Sequence, residues 1–314
     1  MSKIFSIAFY NLENLFDYEN NAYTLDKDFT PEGIYKWDRT KYFQKINNLG
    51  QVISKIGKMR SAIPPVFLGV CEVENETCLR DLINTENLKP FDYQFIFHNS
   101  ADQRGINVGF LYQKSHFSLK ESISFPVDLS KDHGIDTTRD VLLINGELFG
   151  EQVSIIVNHW PSRTNGTLKT DAKRLEAAKL VHRIVTELYA ENQHSNIIIM
   201  GDFNDDPLSN NIIKYLSDGV FNPMIRFQKE KKGSVRHKGK WLMFDQIIMN
   251  NKLLNSNWFE YLETHIFVAP FLSQKSGRYK GSPKRTFLGK FFQGGYSDHY
   301  PVFTYFNAKK TKID

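Results

Sequence analysis

Ile197-Ile198-Ile199-Met200-Gly201-Asp202-Phe203-Asn204 decides how this chain is read. The apolar run 197–200 is short and rich in β-branched residues, which predicts a buried strand. Side chains alternate along a strand, so Asp202 and Asn204, two residues apart, are expected to leave its end on one face. Farther on, Ser297-Asp298-His299 precedes a second strand-like run, Val302–Phe306. Two acid-and-polar pairs at strand ends, far apart in sequence, suit a pocket that binds a cation and a phosphate.

Working outward, the other strand-like runs are Lys3–Tyr10, Pro65–Cys71, Tyr93–His98, Asn107–Tyr112, Phe117–Phe125, Val141–Asn145, Val153–Trp160 and Phe244–Met249, with the decisive one spanning Asn196–Met200. Two helices are signalled. One starts near Asp38 and carries Tyr42, Ile46, Leu49, Ile53 and Ile56 at helical spacing, with Arg39, Lys41 and Lys45 read as its outer face. The other runs from about Lys169 to Glu191, with Leu175, Ala178, Val181, Ile184, Val185 and Leu188 as its apolar stripe. Many strands, few long helices and no regular βα alternation predict packed sheets with helices outside. With no internal repeat, low-complexity linker or composition shift, residues 1–314 are read as one domain.

Composition narrows the class. Hydrophobic residues make up 41% of the 314, enough for a sizeable core, and the 25 Phe and 14 Tyr favour strands. The net charge of +5 is compatible with a polyanionic substrate without requiring one. Cys71 and Cys78 have neither a disulfide framework nor zinc spacing and read as free thiols. No apolar run reaches membrane-spanning length, and the N-terminus has no secretory pattern. The expectation is a cytoplasmic protein, unless a leader has been removed.

Six polar clusters sit at ends of these strands: Asn11, Glu72, Asn158-His159, Asp202 with Asn204, Asp245, and Asp298-His299. Oxygen donors such as Glu72, Asn11 and Asp298 suit a hard cation like Mg²⁺, with Mn²⁺ an alternative. Two histidines without cysteine partners do not resemble a structural zinc site. A metal there would polarise a phosphoryl oxygen, and a histidine could stabilise charge or move a proton.

Taken in order, these pieces resemble the endonuclease/exonuclease/phosphatase superfamily, the deoxyribonuclease I-like fold. The resemblance rests on Asn11 after strand one, Glu72 in Gly-Val-Cys-Glu-Val-Glu-Asn, and Arg104-Gly-Ile-Asn-Val-Gly-Phe-Leu-Tyr112. It continues through Thr138-Arg139-Asp140-Val141-Leu142, Asn158-His159, Gly201-Asp202-Phe203-Asn204, Asp245-Gln246-Ile247 and Gly295-Tyr296-Ser297-Asp298-His299-Tyr300-Pro301-Val302. The resemblance implies an α/β four-layer sandwich: two packed, mostly antiparallel sheets flanked by helices, with the site at their open edge. It also implies divalent-metal-dependent phosphoester cleavage. By the same resemblance Glu72 is the principal metal ligand, supported by Asn11 and Asp298. Asp202 orients or deprotonates the attacking water, and Asn204 holds the phosphate or transition state. His299 bonds a phosphate oxygen or acts as base, with Asp245 fixing its tautomer. His159 matches a phosphate-contacting histidine of deoxyribonucleases, sphingomyelinases and inositol-phosphate phosphatases. The abasic-site endonuclease branch usually carries a tyrosine-bearing segment there, which counts against base-excision repair. Arg104 and Arg139 match phosphate-facing arginines.

Each residue alone has a plainer reading. Gly-Asp-Phe-Asn can be a turn after a strand, Asp298-His299 a capping pair, Glu72 a solvated acid, Arg104 a structural ion pair. Trp160 reads as packing, and Glu13, Glu74, Asp205 and Asp206 as surface groups or supports behind the site. Two basic stretches, Lys229–Lys240 and Thr264–Ser297, precede Asp245 and Asp298 and are expected at the rim of the site. The second, with Lys284 and Arg285 as substrate contacts, is interleaved by Phe271, Tyr279, Phe287, Phe291, Phe292 and Tyr296, which could stack on bases or fold onto the domain.

The expectation is a Mg²⁺-dependent phosphodiesterase, an endonuclease or exonuclease that cleaves nucleic acid by direct attack of water. The alternatives are an esterase for inositol phosphates, phosphoinositides or sphingolipid head groups, and a non-catalytic binding protein. No stable protein partner is implied, and a monomer is expected.

Overall fold

The first strand, β1 (Lys3–Leu15), shows how the layers arise. Phe5, Ile7 and Phe9 enter one apolar core, while Ala8, Tyr10 and Leu12 enter another on the opposite face. The computed structural model describes residues 3–21, 24–129, 137–163 and 167–309. From β1 the chain continues through α1 (Arg39–Ile53), β2 (Phe67–Val73), α2 (Glu76–Ile83), β3 (Tyr93–Phe97), β4 (Asn107–Gln113), β5 (Phe117–Phe125), β6 (Val141–Leu148) and β7 (Glu151–His159). Next come α3 (Thr167–Glu191), β8 (Ile197–Asp202), β9 (Val220–Phe221), β10 (Val235–His237), β11 (Lys240–Leu242) and β12 (Asp245–Asn250). The last are β13 (Phe259–Ile266), β14 (Phe287–Leu288), β15 (Phe291–Phe292) and β16 (Val302–Ala308).

Two six-stranded sheets result, in the orders β13-β16-β1-β2-β4-β3 and β5-β6-β7-β8-β12-β9. Each is antiparallel except for one central parallel pair, β1 with β2 and β7 with β8. A parallel pair needs a long crossover; the first contains α1 and the second α3. The two halves therefore share a strand plan that the sequence does not display. Between the sheets, Phe67 and Phe110 meet Val157, Ile198, Met200 and Ile247. Burying each such side chain contributes roughly 1.5–3 kcal/mol. The outer faces are covered by α1 and α2 on one side and α3 on the other, giving four layers. Asp38 caps α1 by accepting from the Lys41 amide at 2.9 Å, a contact worth about 1 kcal/mol.

Besides α2 and the short strands β9, β10, β11, β14 and β15, which no sequence pattern signalled, three details depart from the sequence reading. Asn11 and Glu72 lie inside β1 and β2 rather than after them, because both strands run on past a register shift. β13 has no counterpart among the predicted strands, and its last residues, Thr264–Ile266, open the basic stretch; a bulge between Tyr261 and Glu263 breaks the alternation that would have marked it. Lys45 lies on the inner face of α1, three residues from Tyr42 and four from Leu49, and is buried.

Candidate active site

The ends of the central strands from both sheets meet at one edge. β7 and β8 are in register with His159 beside Asp202, and β12 pairs with β8 so that Asp245 lies opposite Asp202. Gly201 permits this approach: a Cβ there would come within 2.4 Å of the Asn158 carbonyl oxygen. A side chain in the decisive motif would therefore push the two strands apart.

Asn11 joins the sheets. Its Nδ2 donates to Glu72 Oε1 at 3.2 Å and to Asp202 Oδ2 at 3.1 Å, while its Oδ1 accepts from the Glu13 amide at 2.9 Å. In this arrangement Asn11 positions two carboxylates; ligation through its Oδ1 would require the amide to rotate. Glu72 has φ 61° at the β2 bulge, which turns its carboxylate toward the edge, where Oε2 accepts from the Asn14 amide at 2.7 Å. A non-glycine residue in the left-handed region is uncommon and costs strain. Asn204, also left-handed, sends its amide to the Trp160 carbonyl at 3.0 Å, while its backbone N–H donates to Asp202 Oδ1 at 2.9 Å.

The two histidines face the carboxylates from different sides. His159 Nε2 is 3.8 Å from both Glu72 Oε1 and Asp202 Oδ2. Its Nδ1 is buried with no hydrogen-bond partner among the described residues. Burial and the nearby Arg139, Arg104 and His299 hold it well below the usual histidine range, so its ring is neutral. His299 Nδ1 lies 2.6 Å from Asp245 Oδ2, and its Nε2 is 3.9 Å from Asp202 Oδ2 and 4.0 Å from Asp298 Oδ1. Burial opposes its charge, but Asp245, Asp202 and Asp298 outweigh burial and raise it well above the usual range. Asp202 is pushed up to about 7 by burial, with Asp245 and Glu72 adding to the rise and His299 opposing it. Ser234 Oγ donates to Asp245 Oδ2, a support that no sequence motif marked.

The remaining predicted residues are placed around this centre. Asp298 Oδ2 accepts from Arg285, whose Nε also reaches Glu13 Oε1 at 3.2 Å. Glu13 Oε2 accepts from the Thr286 amide at 2.6 Å, and Lys45 Nζ donates to Thr286 Oγ1 at 2.8 Å. Arg285 is thus tied into an internal network in this structure. Arg139 is buried against Asp102 at 3.3 Å and the Trp160 carbonyl at 2.9 Å, behind His159 rather than on the open side. Arg104 stays at the rim, 3.0 Å from Asn14 Oδ1. Lys284 is half-buried, its backbone N–H bonded to the Leu272 carbonyl at 2.7 Å. Sequence reasoning missed Lys45, Ser234 and Asp102. Lys45 alone carried a signal, its spacing from Tyr42 and Leu49.

The donors fit a hard divalent cation. Two carboxylate oxygens, on Glu72 and Asp202, converge on Asn11 Nδ2, a cluster of oxygen donors of the kind a hard divalent cation takes. Cys71 groups with His159 and Asp202. Burial and the neighbouring Asp202 and Glu72 push its thiol up, so it is a poor thiolate ligand.

The sequence profile of the Endonuclease/Exonuclease/phosphatase family matches residues 6–308. The chain belongs to this family. It is accordingly a metal-dependent phosphoesterase. No curated protein matches it closely enough to add a substrate. Solved structures of the same fold include D. rerio TDP2 complexed with single-strand DNA product, at 15% identity and TM-score 0.61 over 97% of this chain and 99% of that one. A family protein from Bacteroides thetaiotaomicron matches at 17% identity and TM-score 0.61 over 100% and 99%. A mannosyl-6-phosphatase of the same bacterium matches at 18% identity and TM-score 0.59 over 96% and 98%. At these identities the neighbours establish the shared fold and leave the substrate open. No helix among the described residues is long and apolar enough to cross a membrane.

Proposed function

We propose that this phosphoesterase hydrolyses phosphodiester bonds of nucleic acid, with Mg²⁺ or Mn²⁺ held by Glu72 together with Asp298 and, after rotation of its amide, Asn11. The observation that carries the reading is the meeting of two basic loops beside His299. Val235 of β10 bridges to His299, and Arg236 donates to the Lys280 carbonyl at 3.2 Å, joining the loops. Lys238, Lys240, Lys275, Arg278 and Lys280 are exposed around this junction, a surface suited to successive phosphates. D. rerio TDP2, of the same fold, is known with a DNA product.

In the proposed reaction, a water oxygen attacks phosphorus in line with the departing oxygen. Asp202 Oδ2 takes the water proton, and near pH 7 that carboxylate is poised to do so. The P–O bond to the leaving alkoxide breaks as the new P–O bond forms. The charged His299 donates from Nε2 to a phosphoryl oxygen, its ring fixed by Asp245, and neutral His159 offers a second contact. A divalent cation held by Glu72 and Asp298 would supply the positive charge that stabilises the oxygens of the reacting phosphate.

A phosphorylated small molecule is the second reading. It gains from Arg285 being committed internally and from Phe287 and Phe292 packing against Trp37, which leaves Phe291 and Tyr279 as exposed rings of that loop. The test is a substrate panel with and without Mg²⁺: plasmid DNA, single-stranded DNA, RNA, bis-p-nitrophenyl phosphate, inositol phosphates and a sugar phosphate. Nucleic-acid cleavage should fall with salt by a log–log slope of about −0.7 per single-strand phosphate contact. Rapid turnover of a sugar or inositol phosphate with no strand cleavage would favour the second reading.

A further inference from the structure

Lys45 is buried in α1, and its contacts lead step by step to Asp298. Its Nζ donates to the Glu13 carbonyl and to Thr286 Oγ1, and lies 4.0 Å from Glu13 Oε2. Glu13 is buried as well. Its Oε2 accepts from the Thr286 amide at 2.6 Å and its Oε1 from Arg285 Nε at 3.2 Å. Arg285 in turn donates through Nη2 to Asp298 Oδ2. A buried charge without a partner is costly. Lys45, Glu13, Arg285 and Asp298 alternate in sign, so each is held by its neighbour in the chain.

The backbone around this chain of contacts is fixed too. β14 and β15 form a hairpin whose arms stay paired beyond it: the Gln293 amide donates to the Thr286 carbonyl at 2.8 Å and the Tyr296 amide to the Lys284 carbonyl at 2.7 Å. Gly295 permits this pairing, because a Cβ there would come within 2.1 Å of the Arg285 carbonyl oxygen. Asn48, three residues after Lys45 and on the same face of α1, donates to the Gly294 and Gly295 carbonyls at 3.2 and 2.9 Å. α1 thus grips one arm through Lys45 and the other through Asn48. Arg285 and Asp298 lie on opposite arms, so the guanidinium, a rigid planar fork of donors, meets Asp298 from a fixed place. With Oδ2 taken by Arg285, Asp298 Oδ1 is the oxygen left 4.0 Å from His299 Nε2, at the centre of the site. We infer that Arg285 is a positioning residue that holds Asp298 for the divalent cation, and that Lys45 and Glu13 hold Arg285. The inference rests on the metal assignment proposed above.

The test is calorimetric titration of Mn²⁺ into metal-free protein, with no substrate present. Arg285→Met is the main variant, because that side chain is 42% exposed and its replacement leaves the core intact. Its Kd for Mn²⁺ should rise at least about tenfold, the lower end of what a group behind a metal ligand contributes. Lys45→Met and Glu13→Gln should also raise Kd, and neither should add to the loss in Arg285→Met, since both act through Arg285. A network that only staples α1 to the hairpin would instead lower the melting temperature of the metal-free protein and leave Kd alone. An unchanged Kd in Arg285→Met would therefore overturn the inference. So would a tighter one, which would mean that the guanidinium merely repels the cation. Additive losses would remove Lys45 and Glu13 from the account; Glu13→Gln keeps that arm open even if Lys45→Met fails to fold. Asp298→Asn is the control. Wild-type Mn²⁺ affinity in that variant would overturn the metal assignment and the inference with it, whereas weakened binding there beside wild-type affinity in Arg285→Met would overturn the inference alone.

Discussion

His159 and His299 are buried to a similar depth, 4% and 8% exposed, yet are shifted in opposite directions, one toward the neutral ring and the other toward the cation. His159 ends β7, has Arg139 and Arg104 near it and no partner for Nδ1 among the described residues. His299 precedes β16 and has Asp245 on Nδ1, with Asp202 and Asp298 nearby. Burial disfavours the cation in both; partners decide the outcome. One site thereby holds a neutral imidazole and an imidazolium, and assigns each a different task toward a phosphate.

The largest expected effect is loss of the cation. His299→Ala should lower kcat by roughly 10²–10⁴, the usual span for a positioned proton donor, with far-ultraviolet circular dichroism unchanged. A folded variant with wild-type kcat would remove His299 from the chemistry. Glu72→Gln should weaken activation by Mg²⁺ by at least the ~10–100-fold typical of losing a group behind a metal ligand, read as the metal concentration giving half-maximal rate. An unshifted metal curve would exclude Glu72 as a ligand. Asp245→Asn converts the environment of His299 toward that of His159, and its kcat loss should be smaller than that of His299→Ala. Equal activity of Asp245→Asn and wild type, beside a dead His299→Ala, would show that the carboxylate does not orient the ring.

Much of this contrast was legible in sequence. The strand-end acids and both histidines lie in short motifs whose residue types are tied to phosphoester chemistry, whereas the bulge that turns Glu72 and the left-handed turn at Asn204 escape strand alternation. The network behind them was not legible. Lys45 meets Glu13 and Thr286, 32 and 241 positions away, through a helix face that reads as apolar except for one lysine. Ser234 supports Asp245 from a hairpin in a lysine-rich stretch where a lone serine has no pattern. β13 was lost to a bulge, and the strand plan shared by the two sheets leaves no trace because their core side chains differ. Arg285 reads in sequence as a substrate contact; only the fold reveals that two carboxylates already hold it.

The smallest effect concerns stability. The folded-state value of His159 is depressed, so its contribution is present above about 6.5, the unfolded histidine value, and is lost as pH falls below that. The unfolded chain then binds one proton more than the native chain, a slope of about 1.4 kcal/mol per pH unit. His159→Gln should reduce the pH dependence of urea-unfolding free energy between pH 6 and 5 by up to that slope. An unchanged slope would mean that His159 titrates alike in both states.

The different protonation of the two rings is tested most directly by ¹⁵N NMR of the histidine side chains, assigned with His159→Gln and His299→Ala variants and titrated from pH 5 to 9 in wild type and Asp245→Asn. In wild type the His299 ring should be doubly protonated through neutrality and the His159 ring neutral throughout, and Asp245→Asn should bring His299 down toward the ordinary range. His159 and His299 titrating together near 6.5 in wild type would contradict the account.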